Sequence, residues 1–161
     1  MTIPAKIRVG EKGKAAGIDP SPEMIANARR KAKRAGLEID FQVGVIESLA
    51  FPDNTFDVVT SSLMMHHLPK NLQVKGLNEI KRVLKPSGRL LIADMRRPSK
   101  NFFKRHFTPL AIHNAMRRGH SEATGLEDLP AVLQAVGFEG IELLDSKFLI
   151  IGFIQAKKPG V

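Results

Sequence analysis

Residues Lys14 to Gly36 read KAAGIDPSPEMIANARRKAKRAG, and this stretch decides the fold. Ala15 to Ile18 is a short apolar strand that ends on an acid, Asp19. Ser21 follows as an N-cap, Pro22 takes the first helical position, and Glu23 complements the helix dipole. Met24, Ile25, Ala28, Ala32 and Ala35 recur at helical spacing, which predicts a narrow apolar stripe packed on a sheet. Gly36 ends the helix. A strand running directly into a capped helix is the junction at which open α/β sheets hold ligands, outside the carboxyl ends of the strands.

Downstream, the same alternation continues. Ile39, Phe41, Val43 and Val45 alternate with polar residues as in a strand. Phe56 to Thr60 is another apolar strand, and it runs into Ser61-Ser62-Leu63-Met64-Met65-His66-His67. A helix is predicted over Leu72 to Leu84, with Leu77, Ile80, Val83 and Leu84 inward. Lys85-Pro86-Ser87-Gly88 stops it before the strand Arg89 to Ala93, which again ends on an acid, Asp94. Pro98 to His120 is basic and less regular. Leu126 to Val136 reads as a last helix closed by Gly137. Two final strands, Ile141 to Leu144 and Phe148 to Ala156, face each other as a hairpin and bring one antiparallel strand into the sheet. Upstream, Met1 to Gly13 carries weak signals, with Pro4 an interruption and Gly10 to Gly13 a turn. Alternating strands and helices predict an α/β sheet with helices on both faces, mostly parallel.

Composition narrows the function classes. A chain of 161 residues is one domain, 1–161, by the usual length prior. There is no cysteine, which excludes disulfides, thiolate metal sites and cysteine nucleophiles. No apolar run reaches the roughly 20 residues of a membrane span, and the first residues lack the apolar core of a signal peptide, so a cytoplasmic location is expected. The net charge of +9 favours phosphate-bearing or anionic partners, although a solvated basic face on each helix is the better account of it than a nucleic-acid groove. His106, His113 and His120 recur every seven residues, but Pro109 and Gly119 interrupt any helix between them, so no metal site is expected.

At this point the residues resemble a known family. The order GIDPSPEMI, FQVGVIESLAFPDNTFDVV, SSLMMHHL and LNEIKRVLKPSGRLLIADM is similar to the class I S-adenosylmethionine-dependent methyltransferases, nearest to the type-11 small-molecule branch. The likeness runs from about Lys14 to Met95, and the last helix and hairpin fit the family's final strands. It implies a Rossmann-like sheet, S-adenosylmethionine as cofactor, and methyl transfer to a small-molecule acceptor.

The resemblance also implies roles for particular residues. Asp19 matches the acid that grips the two ribose hydroxyls, for which a carboxylate has two acceptor oxygens; the plainer role is to cap the helix entry. Pro20, Ser21 and Met24 line the adenine side. Val45 stands where the family often has an acid, so adenine would be met by backbone and apolar groups at Val45 and Ile46, or by Glu47 reaching in. Thr60, Ser61 and Ser62 match the strand end beside the methionine portion. His66 and His67 match the branch's paired histidines. Such a pair either supplies a base towards the acceptor or packs one ring and exposes the other.

The family's opening strand and Gly-rich loop have no counterpart before Lys14. That unit needs about 30 residues, and only 13 stand there. Gly10, Gly13 and Gly17 do not reproduce the loop. Three ways of closing the gap are expected: pairing of Ala15–Ile18 with Phe56–Thr60, a strand from Ile3–Val9, or a strand from a second copy or other partner. Three functions stay open at this stage. They are an active or partner-completed methyltransferase, a non-catalytic remnant of one, and a basic RNA-binding module with Phe102, Phe103 and Phe107 among its cations.

Overall fold

The junction at Asp19 folds as its sequence predicts. In the computed structural model, which describes residues 1–96, 125–144, 146 and 150–160, β1 (Ala16–Asp19) runs into α2 (Pro22–Arg34). Ser21 caps the helix, its Oγ accepting from the Met24 amide at 3.2 Å, with Pro22 in the first turn. Past the last turn Gly36 takes φ +65°, the left-handed geometry that lets Leu37 donate back to Ala32 O at 3.0 Å. The helix serves as a crossover, and β2 (Asp40–Val43) returns parallel to β1 in the register Ala16↔Asp40 to Asp19↔Val43.

The chain divides into two compact units, Met1–Phe51 and Pro52–Val161. The first has a small core of Ile25, Ala32 and Phe41, with Ile3, Ala28 and Ile39 packed against it. Met24 and Ala35, expected in the same stripe, are exposed instead. Ile25, Ala28 and Ala32 suffice to cover a sheet only two strands wide. Gly17 permits close packing here, since a Cβ on it would lie 2.9 Å from Thr2 Oγ1 and 3.0 Å from the Phe41 ring.

The second unit contains β3 (Phe56–Ser62), a 3₁₀ turn at Met65–His67, α3 (Lys70–Val83), β4 (Leu84–Met95), a 3₁₀ turn at Leu126–Asp128, α4 (Leu129–Val136), β5 (Glu139–Leu144) and β6 (Ile151–Lys157). Its sheet order is β3-β4-β6-β5. β3 and β4 are parallel, whereas β6 is antiparallel to both its neighbours, so the expected C-terminal hairpin forms. Leu77, Ile80 and Val83 from α3, Leu129 and Leu133 from α4, and Leu90, Ile92 and Ile154 from the sheet are the buried core. Each such side chain contributes about 1.5–3 kcal/mol by leaving water. Lys81 Nζ donates to Val136 O at 2.8 Å, which satisfies a carbonyl at the end of α4 and ties the two helices.

Several boundaries shift for local reasons. Lys85 to Gly88, expected as a stop before β4, is a wide bulge inside it: the ladder jumps from Phe56↔Leu84 to Val58↔Arg89, with Ser87 at φ +61°. Leu126 to Val136 begins as a 3₁₀ turn and becomes α-helical only at Leu129. The expected behaviour of Pro98 to His120, including the three spaced histidines, lies outside the described residues, as does the start of the last strand at Phe148.

One expected way of closing the sheet is overturned. Ile3–Val9 is not a strand but part of α1 (Thr2–Val9). Pro4 falls in the first turn, where its missing N–H costs nothing, and Lys6 Nζ ties the following turn by donating to Gly10 O at 3.1 Å. Among the described residues β1 bonds only to β2, and β3 only to β4. No described helix is long and apolar enough to cross a membrane.

Candidate functional site

In the first unit the predicted residues gather where β1 and β2 end. Asp19 stands opposite Val43 at the last register position, and the Gly44 amide donates to Asp19 O at 3.2 Å. Asp19 Oδ1 accepts from the Ser21 amide at 2.8 Å. Its carboxylate and the Ser21 hydroxyl therefore cap the helix entry in series, and Asp19 Oδ2 carries no hydrogen bond among the described residues. Pro20 is exposed, and Met24 is 56% exposed in the first turn of α2. After β2 the chain reverses tightly: Ser48 N donates to Val45 O at 3.3 Å, with Ile46 and Glu47 as the central residues of the turn. Ile46 is buried and Glu47 half-buried, while Val43 and Val45 are 54% and 42% exposed.

This end of the sheet thus offers one open carboxylate oxygen and three apolar side chains facing water. An apolar, flat group bearing a diol suits that donor set: the free oxygen can accept from a hydroxyl, and the side chains gain by being covered. The unit's open depression, about 790 Å³, lies towards the other end. It is lined by residues such as Lys14, Ala15, Ile39 and Asp40 and holds none of the predicted site residues.

In the second unit the predicted residues lie at the end of β3 and just beyond. Thr60, Ser61 and Ser62 are its last three residues, paired with Leu91, Ile92 and Ala93. Ser61 is buried, and its Oγ has no hydrogen-bond partner among the described residues. Leu63 then takes φ +52°, an uncommon conformation for a leucine, while its amide donates to Ala93 O at 2.8 Å. The sharp bend delivers the chain into the Met65–His67 turn.

That turn rests on Asp94, the acid that closes the buried run of β4. Asp94 is 1% exposed. Its Oδ2 accepts from the Met65 amide at 2.7 Å and the His66 amide at 3.4 Å. Its Oδ1 accepts from the Met95 amide at 2.7 Å and from His66 Nδ1. From the other side Gln73 Nε2 donates to Met65 O at 2.9 Å and Leu68 O at 3.1 Å. His66 is half-buried and His67 exposed, their ring centroids 3.8 Å apart.

The chemistry of the pair follows from Asp94. A carboxylate oxygen accepts, so the contact suits a proton on His66 Nδ1, which would leave Nε2 for another partner. An imidazole oriented by a buried carboxylate is the arrangement of a general base.

Two of these residues escaped the sequence reading. Asp94 was visible as an acid ending a strand, but nothing linked it to a turn 28 residues earlier. Gln73 left a fainter signal, a polar residue four positions before Leu77 on the buried stripe of α3.

The comparisons with known proteins identify the family. A family model described as a methyltransferase domain matches residues 3–92. The chain is 29% identical over 153 residues to a probable methyltransferase, ltbC, of Aspergillus luteorubrus, covering 83% of this chain and 51% of that protein. It is 28% identical over 152 residues to the ubiquinone/menaquinone biosynthesis C-methyltransferase UbiE of Salmonella paratyphi B, covering 83% and 60%. The chain therefore spans roughly half to three-fifths of the length of these relatives. Among solved structures it is similar to a SAM-dependent methyltransferase from Aquifex aeolicus, with a TM-score of 0.73 at 24% identity over 93% of this chain and 71% of that one. A likeness at that identity shows the fold.

Proposed function

The chain belongs to the methyltransferase-domain family, and from that premise we propose that it is the transferring domain of an S-adenosylmethionine-dependent methyltransferase acting on a small-molecule acceptor. The fold is the family's Rossmann-like one. The observation that carries the reading is Asp19: at the carboxyl end of β1, one carboxylate oxygen holds the helix entry and the other is open. In this reading Asp19 Oδ2 takes the ribose hydroxyls. Met24, Val43 and Val45 cover the adenine, with Pro20, Ser21, Ile46 and Glu47 shaping the same end. Val45 brings no side-chain acceptor, so the adenine edge is met by backbone groups of the Val45–Ser48 turn. The resemblance assigns Thr60, Ser61 and Ser62, of the second unit, to the methionine portion, and Ser61 Oγ has no hydrogen-bond partner among the described residues.

Bound there, S-adenosylmethionine supplies a methyl group already activated on a sulfonium. The chain's own task is then alignment and proton handling. His66 Nε2 takes the proton that a hydroxyl or carbon acid loses as its new bond to carbon forms, and Asp94 holds the imidazolium that results. Acceptors with a removable proton are therefore the proposed class. The support is the Asp94–His66 contact, together with UbiE's printed activity as a C-methyltransferase.

Calorimetric titration with S-adenosylmethionine tests the cofactor assignment. The expected result is saturable micromolar binding that weakens at least about tenfold in Asp19→Ala, since hydrogen bonds to a charged group contribute about 1.5–3 kcal/mol each. Absence of heat at millimolar cofactor would overturn it. Transfer of isotopically labelled methyl to a panel of phenols, quinols and hydroxy acids tests the acceptor class.

A further inference from the structure

We infer that Gln73 is a positioning residue for His66, and that with Asp94 it locks the imidazole in one tautomer, proton on Nδ1 and lone pair on Nε2. Met65 is the hinge of the argument. Its N–H donates to Asp94 Oδ2 and its C=O accepts from Gln73 Nε2, so both peptide groups flanking Met65 are held by buried side chains of different elements. His66 follows immediately, and its ring reaches Asp94 Oδ1 only while that backbone is fixed.

The amide orientation of Gln73 is set by its partners. Two carbonyls, Met65 O and Leu68 O, face it, and only the NH₂ end donates to them, Met65 O also accepting from the Leu68 amide at 3.1 Å. The opposite end, Oε1, is left in the core with no partner among the described residues. Gln73 is fully buried, and a methionine would fill the same volume without an unpaired carbonyl. A structural filler would therefore be better apolar. What glutamine adds at this position is the pair of donors to the turn that carries the histidines.

The lock is a property of the free protein, whereas its use in proton abstraction rests on the reading above. The test keeps the two apart. Two-bond proton–nitrogen correlation spectra of the imidazole rings, assigned with His66→Gln and His67→Gln, read the tautomer without any substrate. Wild type should show His66 as a single Nδ1–H tautomer, with slow exchange of the Met65 and His66 amides. Gln73→Met should remain folded by circular dichroism. It should show a mixture of His66 tautomers and at least tenfold faster exchange of those two amides, with the Met95 amide unchanged. A His66 ring in Gln73→Met indistinguishable from wild type would overturn the role of Gln73. If that variant does not fold, wild type alone decides: an Nε2–H or averaged ring overturns the lock. Failure of the catalytic reading looks different, namely a locked ring in a chain whose His66→Gln variant transfers methyl at the wild-type rate.

Discussion

The Met65 amide donates to Asp94 Oδ2 across 2.7 Å, joining the histidine turn to the buried end of β4. Asp94→Asn should therefore be costly although it barely changes shape. The new NH₂ would take the place of one oxygen that now accepts, and would face either the Met65 and His66 amides or His66 Nδ1 and the Met95 amide, donor against donor. Leaving one or two buried donors unsatisfied costs about 1–3 kcal/mol each. Thermal unfolding should show the loss, and Asp94→Ala should lose at least as much.

Ser21 invites a separation of capping from ligand binding. Its hydroxyl accepts from the Met24 amide, so Ser21→Ala should lower stability by about 1 kcal/mol, while Ser21→Gly should lose only a few tenths. If the side chain also serves the cofactor, both variants should weaken S-adenosylmethionine binding alike, because both lack the hydroxyl. Paired unfolding and calorimetric measurements on the two variants make the distinction. Equal affinities to wild type would leave Ser21 as a cap alone.

The junction from Ala16 to Gly36 was legible because its determinants are local: an N-cap, a proline in the first turn, a left-handed glycine, and helical spacing of apolar residues. The β5–β6 hairpin was legible for the same reason. What was illegible depended on distant partners. α1 looked unstructured because its helix is short and Pro4 reads as a breaker, whereas Ile3 gains its place by packing on the Ile25–Phe41 core. The stripe of α2 was drawn too wide, since periodicity cannot reveal that the sheet beneath has only two strands. Asp94 and Gln73 are polar residues whose worth lies in contacts spanning 29 and 8 residues, and no local pattern announces either. His66 and His67 were visible as a pair, but which ring meets a carboxylate was decided by the bend at Leu63.

Asp57 gives a pH-dependent test. A hydrogen bond from Lys85 Nζ at 2.9 Å, opposed by slight desolvation and aided by the lysine's charge, holds the Asp57 carboxyl below its ordinary value of 3.8. A depressed carboxyl contributes stability that is fully present above the unfolded pKa and disappears as pH falls through the lower folded one. The contribution should therefore fade only below about pH 4. Both side chains are well exposed, so the pair should be weak and salt-sensitive. Asp57→Asn should match wild type in high salt at neutral pH, and any difference at low salt should vanish on acidification.

Ser61 offers the sharpest contrast between stability and binding. Its hydroxyl is buried at the end of β3 without a partner among the described residues, and an unpaired buried hydroxyl destabilises a fold rather than supporting it. Ser61→Ala should thus leave the melting temperature of the free protein unchanged or raise it. A ligand that binds only the folded state raises the melting temperature according to its affinity. If the hydroxyl meets the methionine portion of S-adenosylmethionine, the variant should show a smaller cofactor-induced shift than wild type at the same concentration. The pattern to look for is a rise or no change without cofactor together with a deficit in its presence. A full shift in Ser61→Ala would remove Ser61 from the cofactor site and leave Asp19 as the residue on which the assignment stands.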